Sequence, residues 1–75
     1  MKQNNMQEHD FELKSDFIEL IKLLKILQIA ESGGQAQLFV ENGEVVHNGE
    51  VEFRKRAKLR KGDTIEIFDI RVHIK

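Results

Sequence analysis

Six cations crowd into eight residues of this 75-residue chain: Arg54, Lys55, Arg56, Lys58, Arg60 and Lys61, with only Ala57 and Leu59 between them. Along an extended segment, alternation sends Arg54, Arg56, Lys58 and Arg60 to one side. Guanidinium and ammonium groups aligned in this way are suited to holding phosphate. A charge run of this kind also serves as an ordinary solvated face. A second candidate is Ser32-Gly33-Gly34-Gln35. Ser32 is placed to N-cap a helix, and Gln35 stands three residues on, as a capping box requires. Gly33 and Gly34 leave the first-turn amides without side-chain cover. Free N–H groups at the positive end of a helix dipole attract anions. The same pair of glycines also fits a tight helix–helix turn.

No catalytic set assembles from the remaining polar residues. His9, His47 and His73 are far apart in sequence, and none has a partner at metal-ligand spacing. The acidic pairs Glu50/Glu52 and Glu41/Glu44 read as exposed faces. Gly33-Gly34 is not a phosphate-binding P-loop, since no Gly-Lys-Ser/Thr follows. The sequence therefore points to a non-catalytic protein with no cofactor and no metal.

Charge supports a binding role. The formal net charge is -1, but residues 1–52 carry four Lys/Arg against ten Asp/Glu, and residues 53–75 carry eight against three. The first part is thus -6 and the second +5. It is the local field that steers a polyanion. There is no Cys, so disulfide staples and thiolate zinc sites are excluded. No apolar run is long enough to span a bilayer, and the first ten residues contain no apolar signal-peptide core. The cytoplasm is the expected compartment, and no membrane partner is expected. Tyr and Trp are absent, and Phe17 and Phe39 sit in apolar patterns, which argues against a base-stacking platform of the RRM or OB type and favours recognition of shape and backbone.

The elements that must position these groups follow from periodicity. Residues 1–10 are polar and aperiodic and are read as a disordered lead-in, leaving 11–75 as a single domain. Phe11-Glu-Leu-Lys14 alternates like a short strand. Asp16 and Glu19 have capping-box spacing for a first helix over Phe17–Gln28, its apolar face formed by Phe17, Leu20, Ile21, Leu24 and Leu27. A second helix runs from Ser32 to Gly43, with Ala36, Leu38, Phe39 and Val40 as its apolar positions and Gly43 at C′. Asn48-Gly49 predicts a type I′ hairpin that pairs Val46 with Val51. Lys61-Gly62-Asp63 is a turn, and Thr64–Phe68 and Ile70–Ile74 alternate as strands. The fold class is α+β: two short packed helices followed by a small, mostly antiparallel sheet with a β-hairpin.

This order of motifs resembles a known family. Ser32-x-x-x-Ala36, then Val40-x-x-Gly43-x-Val45-x-x-Asn48-Gly49, then Lys61-Gly62-Asp63-x-Ile65 resembles the S-four RNA-binding domain, the module of the fourth small-subunit ribosomal protein. Gly33-Gly34-Gln35-Ala36, Val46-x-Asn48-Gly49-Glu50-x-Glu52 and Arg54-Lys55-Arg56-x-Lys58-Leu59 are similar to small stand-alone bacterial members of the YbcJ/YaaA type. The resemblance implies an αL motif, in which two helices and a hairpin face structured RNA, ribosomal or transfer, alone or within a ribonucleoprotein particle. It assigns RNA contacts to Ser32, Gly33, Gly34 and Gln35 and to Arg54, Lys55, Arg56 and Lys58. The charge run adds Arg60 and Lys61. Two positions depart from the family pattern. Gln37 stands where Lys or Arg is common, and His47 where an apolar residue is usual. The rival reading is a protein-interaction module whose basic strip, or exposed sheet edge, meets an acidic partner.

Overall fold

The computed structural model describes residues 6–75. In chain order the elements are β1 (Gln7–Phe11), β2 (Ile18–Glu19), α1 (Leu20–Ile26), α2 (Gly33–Glu41), β3 (Val45–His47), β4 (Glu50–Val51), β5 (Lys58–Leu59), β6 (Thr64–Ile67) and β7 (Ile70–Ile74). Five strands form one sheet in the order β1-β7-β6-β3-β4, and β2 pairs with β5 in a separate two-stranded ribbon. Every pairing is antiparallel except β1 with β7. The fold is α+β, with two helices and a mostly antiparallel sheet.

Alternation decides which face of the sheet is buried. Ile65 and Ile67 on β6, Val72 and Ile74 on β7 and Val45 on β3 are all buried. Ile65 lies opposite Val72, and Val45 opposite Ile67. Leu20, Leu23 and Leu24 of α1 and Ala36 and Val40 of α2 complete this core. Ile21, Leu27 and Phe39 are only partly buried against it. Two residues are exceptions to the expected core: Leu38 is 56% exposed, and Phe17 is half-buried and lies outside the core. Ala36 and Val40 define the inward stripe of α2, and Leu38 lies about 200° round the helix from Ala36. Phe39 meets Phe68 edge to face, with ring centroids 5.1 Å apart.

The hairpin and the helix ends follow the sequence. Val46 pairs with Val51, and Asn48 and Gly49 both take positive φ, at 52° and 88°, as a type I′ turn requires. Gly43 ends α2 at φ 75°.

Two boundaries are corrected. The stretch 1–10, read as a disordered lead-in, contains strand β1, which runs parallel to β7 from Gln7↔Ile70 to Phe11↔Ile74. Residues 1–5 of that reading lie outside the described residues. Gln7, Glu8, His9 and Asp10 are all exposed, so no apolar alternation announces the strand. Backbone bonds flank it at both ends, from Gln7 N–H to Asp69 O (2.7 Å) and from Lys75 N–H to Phe11 O (2.8 Å). Side chains reinforce the pairing: Arg71 and His73 reach Glu8 at 3.0 and 2.7 Å. The second correction concerns the first helix, which begins at Leu20 rather than Phe17. Ile18 and Glu19 are extended and pair with Leu59 and Lys58. Glu19, at φ -73° and ψ 145°, is the N-cap, and its side chain makes no cap bond.

Deleting residues 1–10 removes four of the five residues that pair with β7 and should lower the urea midpoint. A disordered lead-in would leave it unchanged, so chemical unfolding of the truncated and full chains decides between the two.

Candidate nucleic-acid interface

A helix leaves its first amides without intrahelical partners. In α1 these are met by the backbone of the basic segment. Leu20 N–H donates to Ala57 O at 2.9 Å and Ile21 N–H to Lys55 O at 3.1 Å. Ala57 N–H donates to Arg54 O at 3.1 Å and closes a turn. Ala57 and Leu59, the two apolar interruptions of the run, are buried and pin the segment to the core. Arg54, Arg56, Lys58, Arg60 and Lys61 are left exposed, and Lys55 is half-buried. The expected alternation holds around Leu59. Upstream the chain is a turn rather than a strand, yet Arg54, Arg56 and Lys58 still line one surface pocket of about 380 Å³ over Ala57.

The cations are not equally free. Arg54 forks onto Glu52, with Nε to Oε2 at 2.8 Å and Nη2 to Oε1 at 3.1 Å, while its own backbone N–H reaches Oε2 at 3.1 Å. Glu52, expected on an exposed face, is instead 8% exposed, the one buried charged residue among those described. The Arg54 hydrogen bond outweighs burial, with help from His47, and holds the Glu52 carboxyl at about 2. His47 sits between two carboxylates, its Nδ1 3.1 Å from Glu52 and its Nε2 3.1 Å from Asp63. Burial works against its charged form, but the bonds to Glu52 and Asp63 prevail and raise its pKa. Asp63 in turn accepts from Arg60 N–H at 2.9 Å and from Asn48 Nδ2 at 3.2 Å. Burial pushes Asp63 up, and these bonds outweigh it and leave its pKa lowered. One chain of polar contacts therefore ties both ends of the basic segment to the hairpin. The two carboxylates engage opposite nitrogens of one ring, so they cannot converge on an ion. No group able to hold a metal occurs among the described residues.

The remaining cations have weaker ties. Arg56 lies 3.8 Å from Glu19. Lys58 Nζ sits 4.8 Å and the Arg60 guanidinium 5.6 Å from the centre of the Phe17 ring, distances at which a cation is attracted to an aromatic face.

The second predicted group is built as the sequence implies. Ser32 Oγ accepts from Gln35 N–H at 3.1 Å, and Gln35 Oε1 accepts from Glu31 N–H at 2.6 Å. A Cβ at Gly33 or Gly34 would meet nothing closer than 3.9 Å, so packing does not demand glycine at either position. The structure holds this helix start apart from the basic segment. Lys55 and Ala57 meet the first turn of α1, whereas Gly33 lies beside Lys25 in its last turn. The seven residues of α1 separate the two groups by about 10 Å.

Sequence reasoning did not single out Phe17, His47, Glu52 or Asp63 as part of this region. Glu52-x-Arg54 carried a local signal, an acid two residues before an arginine in extended chain. His47 and Asp63 are sixteen residues apart, and no spacing rule joins them.

Two helices, a hairpin and a basic segment in this arrangement form an αL-motif module. The S4 domain family matches residues 11–75, and the chain belongs to it. The chain is 42% identical over 52 residues to YbcJ of Escherichia coli (strain K12), covering 69% of this chain and 74% of the relative. It is 36% identical over 55 residues to the Bacillus subtilis (strain 168) protein named "Probable ribosome maturation protein RlbA", covering 73% and 78%. The solution structure of YbcJ, described as revealing an αL motif involved in RNA-binding, superposes with a TM-score of 0.62 at 33% identity. That match covers 97% of this chain and 94% of the other.

Arg54→Gln should lower the urea midpoint, because Glu52 stays buried without its fork, while Arg56→Gln should leave the midpoint near the parent's. Equal midpoints for the two variants would show that Glu52 does not depend on Arg54. The pH response has a definite sign. Stability contributed by His47 is fully present below its ordinary value of 6.5 and is lost as pH rises through the raised folded value. Stability from Glu52 is present above 4.5 and is lost as pH falls towards about 2. The urea midpoint of the parent should therefore decline from pH 6 to 9, and His47→Gln should flatten that decline. A parent profile that is flat over this range would remove His47 as a titrating member.

Proposed function

We propose that this chain is a non-catalytic RNA-binding module that grips structured RNA, ribosomal or transfer, through phosphate contacts and shape. The observation that carries this reading is the pocket in which Arg54, Arg56 and Lys58 converge on backbone fixed by α1. Phosphate contacts need cations on a rigid frame, and here the frame is the helix start itself. Lys55, Arg60 and Lys61 extend the strip, and the helix start of Ser32, Gly33, Gly34 and Gln35, where Ser32 already holds the Gln35 amide, offers a second contact about one short helix away. The αL motif named for the YbcJ structure and the ribosome-maturation name of the Bacillus relative support ribosomal RNA as the first substrate to test. Its proposed place of action is the cytoplasm, alone or within a ribonucleoprotein particle. Among the described residues no helix is long and apolar enough to cross a membrane.

About four phosphates met by the strip give a slope of log affinity against log salt of roughly -3 to -4. Arg56→Gln with Lys58→Gln should flatten that slope by about one to two and weaken all RNAs to a similar degree. This pair leaves the Arg54–Glu52 fork intact, so the fold is kept. Titration of ribosomal RNA at several salt concentrations is the measurement. A parent without salt-dependent affinity would falsify the reading.

A further inference from the structure

A surface groove of about 480 Å³ lies between the chain leading into β2 and the exposed side of α1. Its floor is apolar, formed by Phe11, Leu13, Phe17, Ile18 and Ile26. Ile26 is 51% exposed. Lys14 and Lys22 stand on the rim, Lys14 at 3.9 Å from the exposed Glu12 carboxylate. The one carboxylate in the lining, Glu19, faces Arg56. The groove also joins the basic strip, because its Phe17 ring lies beneath Lys58 and Arg60. Positive charge therefore stands at the rim and along the strip, with an aromatic ring between them.

We infer that this groove is a base-binding subsite that takes one unstacked nucleotide of the RNA gripped by the neighbouring strip. Sequence-tolerant recognition of single-stranded RNA combines an aromatic or guanidinium face for the base with cations for the flanking phosphates. Phe17 and Arg60 supply the faces; Lys14, Lys22 and Lys58 supply the cations. A duplex keeps its bases stacked and offers nothing to this floor, whereas a bulge or loop does. The ligand is thus structured RNA with an unpaired residue next to a helical segment. This inference rests on the RNA-binding reading. It deepens that reading by assigning one contact to a base.

The test compares one RNA hairpin, fully paired, with the same hairpin carrying a single-nucleotide bulge, by fluorescence anisotropy with the full chain. The parent should bind the bulged RNA about five- to tenfold more tightly, at the lower end of what one base–aromatic stack contributes. Phe17→Leu, which keeps apolar bulk, and Ile26→Ser, at an exposed position, should each lose most of that preference. Ile26→Ser, which touches no cation of the strip, should retain the parent's affinity for the paired hairpin. Aromatic NMR signals of Phe17 should shift further with the bulged RNA than with the paired one, which moves them only through Lys58 and Arg60. Equal parent affinity for the two hairpins overturns the subsite and leaves the phosphate strip standing. No salt-dependent binding of either hairpin overturns both readings. A Leu/Glu-rich acidic peptide is the third probe. If it binds the parent and Ile26→Ser abolishes that binding, while both variants keep the parent's RNA preference, the groove serves a protein and the inference fails.

Discussion

The start of α1 is the constraint on which the rest of the molecule depends. A helix of seven residues cannot hold itself together in water, since nucleation is costly and so short a segment recovers few hydrogen bonds. Its first amides also need acceptors, and the N-cap side chain supplies none. The carbonyls of Lys55 and Ala57 do so instead. The same two bonds fix the basic segment, which has no regular structure of its own between Val51 and Lys58. Helix and segment are therefore conditions for each other. The segment gains a rigid backbone although six of its eight residues from 54 to 61 carry like charge, a composition that by itself favours a solvated, mobile loop.

Repulsion within that segment is countered from beneath. Glu52 lies buried under Arg54, and Asp63 holds the amide of Arg60. His47 joins the two carboxylates through its two ring nitrogens. A buried carboxylate is costly unless it is paired and hydrogen-bonded, and here each acid has several partners. No buried side-chain nitrogen or oxygen is left without a partner among the described residues. His47 thus takes a polar role at a hairpin position that the family resemblance marks as apolar. The neighbouring apolar pair Val46 and Val51 keeps the strand register, so the exchange does not disturb the hairpin.

Much of this was legible in the sequence, and the limits have physical causes. Local signals carried through: the Ser32 cap, Gly43 at the end of α2, the Asn48-Gly49 turn and the two alternating strands after Gly62. Each depends on a few neighbouring residues whose preferences are intrinsic. The failures lie where distant segments compete. Phe17-Ile18-Glu19 has helical periodicity on paper, but pairing with Lys58-Leu59 offers those residues a strand and the following amides their acceptors. The Asp16–Glu19 spacing therefore misplaced the cap by one turn. β1 escaped notice because an edge strand with polar side chains on both faces carries no period-two pattern. The charge run was visible, and its pairing with Glu52 and Asp63 depended on contacts across the hairpin.

The position of β1 also sharpens the electrostatic picture. Of the eight Lys and Arg beyond residue 52, two lie outside the strip, Arg71 and Lys75. Parallel addition of β1 brings Glu8 within 3.0 Å of Arg71 and Asp10 within 3.5 Å of Lys75. Glu66 adds a second contact to Arg71 at 3.3 Å. The far edge of the sheet is thereby close to neutral, and the positive field is concentrated in residues 54–61. A polyanion approaching this molecule meets one attractive face rather than a diffuse basic half, so the field orients the encounter as well as favouring it. Charged side chains along β1 at the same time make its free edge a poor template for a further strand. That disfavours strand addition at this edge.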